Sequence, residues 1–196
     1  MKIVGVGAGP GMLTMEAARA IREARLIYGS ERAIDLARDE IYPGTDVRVI
    51  EDYGALRKLP PEAVVLSTGD PMLSGLGYLD GDVIPGISSM QVACARLKAS
   101  ELKVIPITVH GRRMDPEPIL AEIARGRTVF LLVDDSTDLP GLCRLLEERG
   151  LSRDVAVFTD LGYPNEEILR GTTRCPPTSK GLASVMIGDL GFERTP

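Results

Sequence analysis

The chemistry open to this chain rests on one histidine between arginines and on three loops of very small residues. His110 is the single histidine among 196 residues and stands in the run His110-Gly111-Arg112-Arg113. One imidazole excludes a multi-histidine metal site, and no metal site is expected, but acid–base work stays open. The bland alternative is a hydrogen-bonding histidine that closes a strand. Arg112 and Arg113 could hold carboxylates bidentately, or could form a solvated turn. The small-residue loops are Gly7-Ala8-Gly9-Pro10-Gly11, Gly69-Asp70-Pro71-Met72-Leu73-Ser74-Gly75 and Pro85-Gly86-Ile87-Ser88-Ser89. Such loops let backbone approach a ligand closely. No serine lies in a G-x-S-x-G elbow and no Walker pattern occurs, which disfavours serine hydrolysis and P-loop chemistry.

The first loop invites a dinucleotide reading, and spacing argues against it. Counting G-x-G-x-x-G from Gly5 places Pro10 where the third glycine should stand. Proline there removes an N–H, fixes φ and restricts Gly9 before it, a poor way to lay a helix N-terminus on a pyrophosphate. Asp70-Pro71 reads as an N-cap and first helical residue, with the carboxylate also able to accept a hydrogen bond from a ligand. Ser88 and Ser89 read equally as a cap or as ligand contacts.

The elements that must position these residues alternate strand and helix. Ile3–Val6 is a buried strand, Met12–Ala24 an amphipathic helix, Leu26–Tyr28 a strand, and Ser30 caps a helix to about Arg38. Strands over 46–51, 63–66 and 82–84 follow, then a helix to about Ala99 and a strand over 103–109. If the early strands are parallel, all three loops lie on one sheet edge. Asp115-Pro116 reads as a break after His110-Gly111-Arg112-Arg113, so the domains are expected at 1–109 and 110–196. Beyond it come a helix at 118–125, a strand at 128–133, a helix at 139–149 and a strand at 154–158. Runs at 167–172 and 184–187 have no helix between them, which predicts an antiparallel portion. Tyr163-Pro164-Asn165-Glu166 reads as a hairpin turn with no chemistry of its own.

A formal charge of -5 with few aromatics and no basic run argues against nucleic acid. Three cysteines, Cys94, Cys143 and Cys175, far apart and without a C-x-x-C pair, suggest neither disulfides nor a thiolate metal site and fit a reducing cytoplasm. No signal-type stretch or membrane-length span is read, so the protein is expected to be neither exported nor anchored in a membrane.

Taken in order, GVGAGPG at 5–11, STGDPMLSGLG at 67–77, VIPGISSMQVACARL at 83–97, TVHGRR at 108–113, TVFLLVDD at 128–135 and TDLGYPNEEILRGT at 159–172 resemble the tetrapyrrole (corrin/porphyrin) methylases. These are S-adenosylmethionine-dependent enzymes of cobalamin and sirohaem synthesis that also include diphthine synthase. The PGISS, HGR and LGYPNEEI stretches are most similar to the branch that methylates carbon 5 of cobalt-precorrin-7. The resemblance implies two α/β domains, the first with a parallel sheet and the second with a mixed one, and a cofactor cleft between them. It implies S-adenosylmethionine held at Ala8, Asp70, Leu73, Ser88 and Ser89, with S-adenosylhomocysteine as product. His110 becomes the catalytic candidate, as general base or substrate orienter. Arg112 and Arg113 become clamps for the tetrapyrrole carboxylates, with Arg174 and Lys180 as further candidates.

A homodimer is also implied, as is a separate protein for the carbon-15 methylation and decarboxylation. The family commonly has a longer helix between the second and third loops; here Gly77–Asp82 nearly joins them, and helix packing on that face is expected to be reduced. The alternatives are another precorrin methyltransferase or diphthine synthase, a nicotinamide-dependent oxidoreductase, and a non-catalytic binding module. Pro10 and the lack of an acidic residue ending the second strand disfavour the oxidoreductase.

Overall fold

Short runs of Val, Ile and Leu, each bounded by small or polar residues, form the strands of two sheets. The computed structural model describes residues 1–109, 111, 113–178 and 183–192. The chain divides into two compact units, Met1–Val92 and Ala93–Pro196.

The first unit contains β1 (Lys2–Gly5), α1 (Met15–Arg22), β2 (Leu26–Gly29), α2 (Glu31–Ala37), β3 (Asp46–Val49), β4 (Val64–Ser67), α3 (Pro71–Ser74) and β5 (Asp82–Ile84). All pairs in its sheet are parallel, in the order β3-β2-β4-β1-β5. β1 therefore lies between β4 and β5, and the carboxyl ends of these three neighbours form one edge. One face of the sheet (Val4, Val6, Ile27, Val64, Leu66, Ile84) packs on Ala17, Ala20 and Ile21 of α1 and on Ala33 and Ala37 of α2. On the other face Ile3 and Val65 are covered by Leu56, Leu76 and Leu79. Leu76 and Leu79 come from the short connection after α3, and Leu56 from the turn after β3.

The predicted first helix begins later than its apolar stripe suggests. Gly11 turns the chain at φ +74, and the Thr14 hydroxyl accepts the Ala17 N–H at 3.1 Å. That cap starts α1 at Met15, leaving residues 12–14 outside it. Ser30 caps α2 as expected.

α4 (Ser89–Leu97) begins in the first unit and continues into the second. There follow β6 (Val104–Thr108), α5 (Pro116–Ala124), β7 (Thr128–Leu132), α6 (Leu139–Glu148), β8 (Asp154–Thr159), β9 (Glu167–Thr172) and β10 (Ala183–Gly188). The second sheet is mixed, in the order β6-β7-β10-β8-β9, with β6 and β7 parallel and the other pairs antiparallel. Because β6 pairs with β7, the change of sheet precedes β6, whereas the sequence reading placed it after that strand. An apolar strand reads alike in either sheet, so only its partner decides. Asp115-Pro116, read as a break, instead starts a helix. Asp115 accepts the Glu117 N–H at 3.1 Å and Pro116 takes a position whose N–H has no helical partner.

Val129, Leu131, Val155, Val157, Val185 and Ile187 pack against Ile119 and Ile123 of α5 and Leu142, Cys143 and Leu146 of α6. Burial pushes the Cys143 thiol up to about 11, helped by the charges of Glu147 and Asp138. Cys94 is also raised, by burial and then by Glu101, whereas Cys175 is exposed. Alkylation of the native protein near pH 8 should therefore label Cys175 first, with Cys94 and Cys143 reacting only once denaturant is added. Peptide mapping reads this directly, and labelling of native Cys143 would contradict the packing of α6.

Candidate functional site

The three loops meet at the edge formed by β1, β4 and β5. Beyond β1 and β4 the ladder continues: the Val6 N–H donates to Ser67 O at 2.9 Å, and Gly7 and Gly69 exchange N–H···O bonds of 3.2 and 2.8 Å. Both glycines sit at positive φ, +83 and +72, which lets a parallel strand pair end in an antiparallel bridge. The third loop closes on the other two by contact that only glycine permits. A Cβ on Gly86 would lie 2.2 Å from Gly69 O and 2.8 Å from Gly5 C, and one on Gly5 would lie 2.5 Å from Gly86 N.

Asp70 ties this apposition together with both carboxylate oxygens. Oδ1 accepts the Met72 N–H at 2.8 Å and caps α3, while Oδ2 accepts the Gly86 N–H at 2.9 Å. The cap read from Asp70-Pro71 is thus present, and a second bond latches the second loop to the third. Leu73, half-buried, lies on α3, its N–H donating to Asp70 O at 3.2 Å. Ser88 is buried and forms a capping box at the start of α4. Its Oγ accepts the Gln91 N–H at 3.2 Å, and Gln91 Oε1 accepts from Ser88 N at 2.8 Å and Ser88 Oγ at 3.0 Å. Ser89 is the half-buried first residue of that helix. Ala8 is buried, and its carbonyl accepts from Arg32 Nη2 of α2 at 3.3 Å. Ala8, Asp70, Leu73, Ser88 and Ser89 all belong to the loops of this one edge or the helices they start.

His110 and Arg112 lie outside the described residues, as does Lys180. Gly111 between them donates its N–H to Asp134 Oδ2 at 2.5 Å, so the loop after β6 is fastened to the loop after β7. Asp134 Oδ1 accepts the Ser136 N–H at 2.9 Å. Arg113 is exposed and forms no ion pair among the described residues. Arg174 is engaged, its Nε 3.3 Å from Glu147 Oε2. Among the described residues no cluster of His, Cys, Asp or Glu could hold a metal ion, and no helix is long and apolar enough to cross a membrane.

This arrangement of loops on a parallel sheet, followed by a mixed sheet, coincides with a family model. The model of the Tetrapyrrole (Corrin/Porphyrin) Methylases matches residues 2–175. The chain belongs to this family. Among curated relatives, a probable cobalt-precorrin-7 C(5)-methyltransferase from Methanocaldococcus jannaschii is 31% identical, with 95% of this chain and 92% of the relative aligned. Among solved structures, a precorrin-6Y methylase of cobalamin biosynthesis from Archaeoglobus fulgidus superposes with a TM-score of 0.78 at 28% identity, covering 96% of this chain and 97% of that one. A uroporphyrin-III C-methyl transferase from Thermus thermophilus, solved with S-adenosylhomocysteine, shares the fold at a TM-score of 0.76 and 20% identity, covering 96% and 92%.

In this tetrapyrrole methylase the sequence reading missed the residues that hold the loops rather than line them. The sequence reading puts Gly5 inside the first strand and Gly86 inside the third loop and does not see their close backbone contact, because it joins residues 81 positions apart. Gln91 carried a visible signal, since Ser88-x-x-Gln91 is a capping-box spacing. Asp134 carried only a faint one, an acidic residue just past a strand.

Proposed function

We propose that this protein is a C-methyltransferase of cobalamin biosynthesis, moving a methyl group from S-adenosylmethionine to carbon 5 of a cobalt-precorrin. The observation that carries this is the near end-to-end likeness to the M. jannaschii relative, together with the intact three-loop edge. The family assignment leaves the oxidoreductase reading without support.

The first-unit loops suit such a cofactor. Gly5, Gly69 and Gly86 bring no side chain of their own to the place where they meet, so their backbone groups approach one another directly. Ala8, Leu73, Ser88 and Ser89 would border the cofactor, with Asp70 holding two of the loops in register. When bound, S-adenosylmethionine supplies a methyl on a sulfonium whose leaving group is a neutral thioether, so little acid–base assistance is needed. The task of these residues is alignment and exclusion of water, for which effective molarities of about 10⁵ M or more are known. Arg112 and Arg113 would clamp substrate carboxylates, and His110 would orient the macrocycle or take a proton from it. On the same reading the protein works in the cytoplasm as a homodimer.

Calorimetry with S-adenosylhomocysteine followed by turnover of cobalt-precorrin-7 tests the reading. Tight binding and methylation at carbon 5 are expected, whereas NADH binding without S-adenosylhomocysteine binding would overturn it. Methylation of elongation factor 2 instead would move the protein to the diphthine synthase branch. Arg113→Ala should raise the KM for the tetrapyrrole roughly tenfold, the worth of one charge-assisted contact, with cofactor affinity unchanged. His110→Ala with an unaltered rate would remove the imidazole from the mechanism.

A further inference from the structure

The second loop of the candidate site closes on its own starting residue. Ser67 ends β4 and is buried, with its backbone fixed against β1: it pairs with Gly5, and its carbonyl accepts the Val6 N–H at 2.9 Å. Nine residues later the chain returns, and the Leu76 N–H donates to Ser67 Oγ at 3.3 Å. The Leu76 side chain is buried as well, packed with Ile3 and Val65. One buried leucine and one hydroxyl acceptor thus hold the same point of the returning chain.

Between Ser67 and Leu76 lies α3, a helix of four residues. A helix so short has little stability of its own, since forming one turn fixes several dihedrals for very few hydrogen bonds. It closes from Gly75 N–H to Pro71 O at 3.2 Å, and Pro71 O also accepts from Gly77 N–H at 3.0 Å. The place of α3 is therefore set by what grips its two ends, Asp70 before it and the Ser67–Leu76 bond after it.

Gly75 makes room for that second grip. Its φ of -115 lies outside the region that favours glycine, so space alone demands the missing side chain. A Cβ there would stand 2.3 Å from Ser67 Oγ, with Pro71 Cα at 3.0 Å and Pro71 O at 3.1 Å. The hydroxyl could escape only by turning away from the Leu76 N–H.

We propose that Ser67 and Gly75 are positioning residues for cofactor binding: the Ser67 hydroxyl, in the space that Gly75 leaves, holds the return of the second loop and so keeps α3 and Leu73 in place. The inference rests on the cofactor reading given above and lies wholly within the first unit. Both residues act through the backbone of the loop, because a loop ordered before the ligand arrives carries no ordering cost on binding.

The test measures S-adenosylhomocysteine affinity by calorimetry, KM and kcat with S-adenosylmethionine and cobalt-precorrin-7, and thermal unfolding. The proteins are the wild type, Ser67→Ala, Gly75→Ala, the double variant Ser67→Ala/Gly75→Ala, and Val64→Ala as a control. Val64 belongs to the same strand but packs on the face covered by α1 and α2, not on the face that holds Leu76. Ser67→Ala should weaken the affinity roughly three- to tenfold, the worth of one hydrogen bond, with kcat at saturating cofactor within about twofold of wild type. Gly75→Ala should weaken it at least as much. The double variant should be no worse than Gly75→Ala, because removing the hydroxyl also removes the clash. Val64→Ala should lower the melting temperature at least as far as Ser67→Ala does, yet leave the affinity within about twofold of wild type. Unchanged affinity in Ser67→Ala would overturn the proposal, as would losses that simply add in the double variant or a Val64→Ala loss equal to that of Ser67→Ala. Should Gly75→Ala not fold, Ser67→Ala against Val64→Ala decides. A wild-type protein that binds no S-adenosylhomocysteine would overturn the cofactor reading along with it, whereas normal wild-type binding with an indifferent Ser67→Ala would overturn this inference alone.

Discussion

Gly86→Ala is expected to abolish S-adenosylhomocysteine binding while the second unit stays folded. The added methyl would meet Gly69 O at 2.2 Å, Gly5 C at 2.8 Å and Gly5 Cα at 2.9 Å, all of them backbone. No side chain can swing aside, so one of three main-chain segments must move by about 1 Å, and misplacements of that size cost about 10²-fold in function. The bond from Gly86 N–H to Asp70 Oδ2 would open with it. Overpacking of this kind costs about 3 kcal/mol, falling on the first unit. Gly11→Ala is the matched control. Its Cβ would meet nothing within 4 Å, so only the strain of φ +74 remains, about 1–2 kcal/mol, with no clash against the other loops. Urea unfolding and calorimetry on both variants separate the two effects. A Gly86→Ala protein that bound the ligand within about threefold of wild type would show that the close approach of the loops is not what shapes the site.

The elements of this fold were legible where local chemistry alone decides them. Asp82–Ile84 and Thr128–Leu132 follow from short apolar runs, and Ser30 marks the start of α2 by its hydroxyl. The convergence of the three loops was legible too, because parallel strands put like ends on one edge. What stayed hidden depended on partners remote in sequence. The sheet to which Val104–Thr108 belongs is set by its pairing with Thr128–Leu132, and nothing within the strand encodes that. Asp115-Pro116 was read as a break although Asp70-Pro71, chemically the same, was read as a helix start; the cap at Glu117 shows that the same rule governs both. At the first-unit edge, the three loops announce themselves by the smallness of most of their residues. The groups that fix loops, Gly5 against Gly86 and Asp70 against Gly86 N–H in the first unit and Asp134 against Gly111 in the second, are ordinary residues whose roles exist only in three dimensions.

Asp70→Asn separates two roles that the sequence could not tell apart, holding the loop and touching the ligand. A carboxylate facing two N–H donors accepts from both, but a carboxamide has one oxygen and must turn its NH₂ toward the other donor. Asparagine caps helices as well as aspartate, so the bond to Met72 should survive and the latch to Gly86 should be lost. An unmatched N–H at a half-buried contact costs about 1–3 kcal/mol. The expected result is a destabilisation of that size in urea unfolding and an affinity for S-adenosylhomocysteine weakened roughly tenfold as the third loop loosens. The cause can be read by repeating the titration with an analogue lacking the ligand's amino group. If Asp70 acts by holding the loops, the substitution weakens both ligands equally, because what is lost is the position of the third loop rather than a contact to the amino group. If its charge instead meets the amino group, the penalty disappears for the analogue. Since one oxygen holds α3 and the other holds Gly86, the equal penalty is the expected outcome, and a penalty confined to the natural ligand would reassign Asp70 to direct contact.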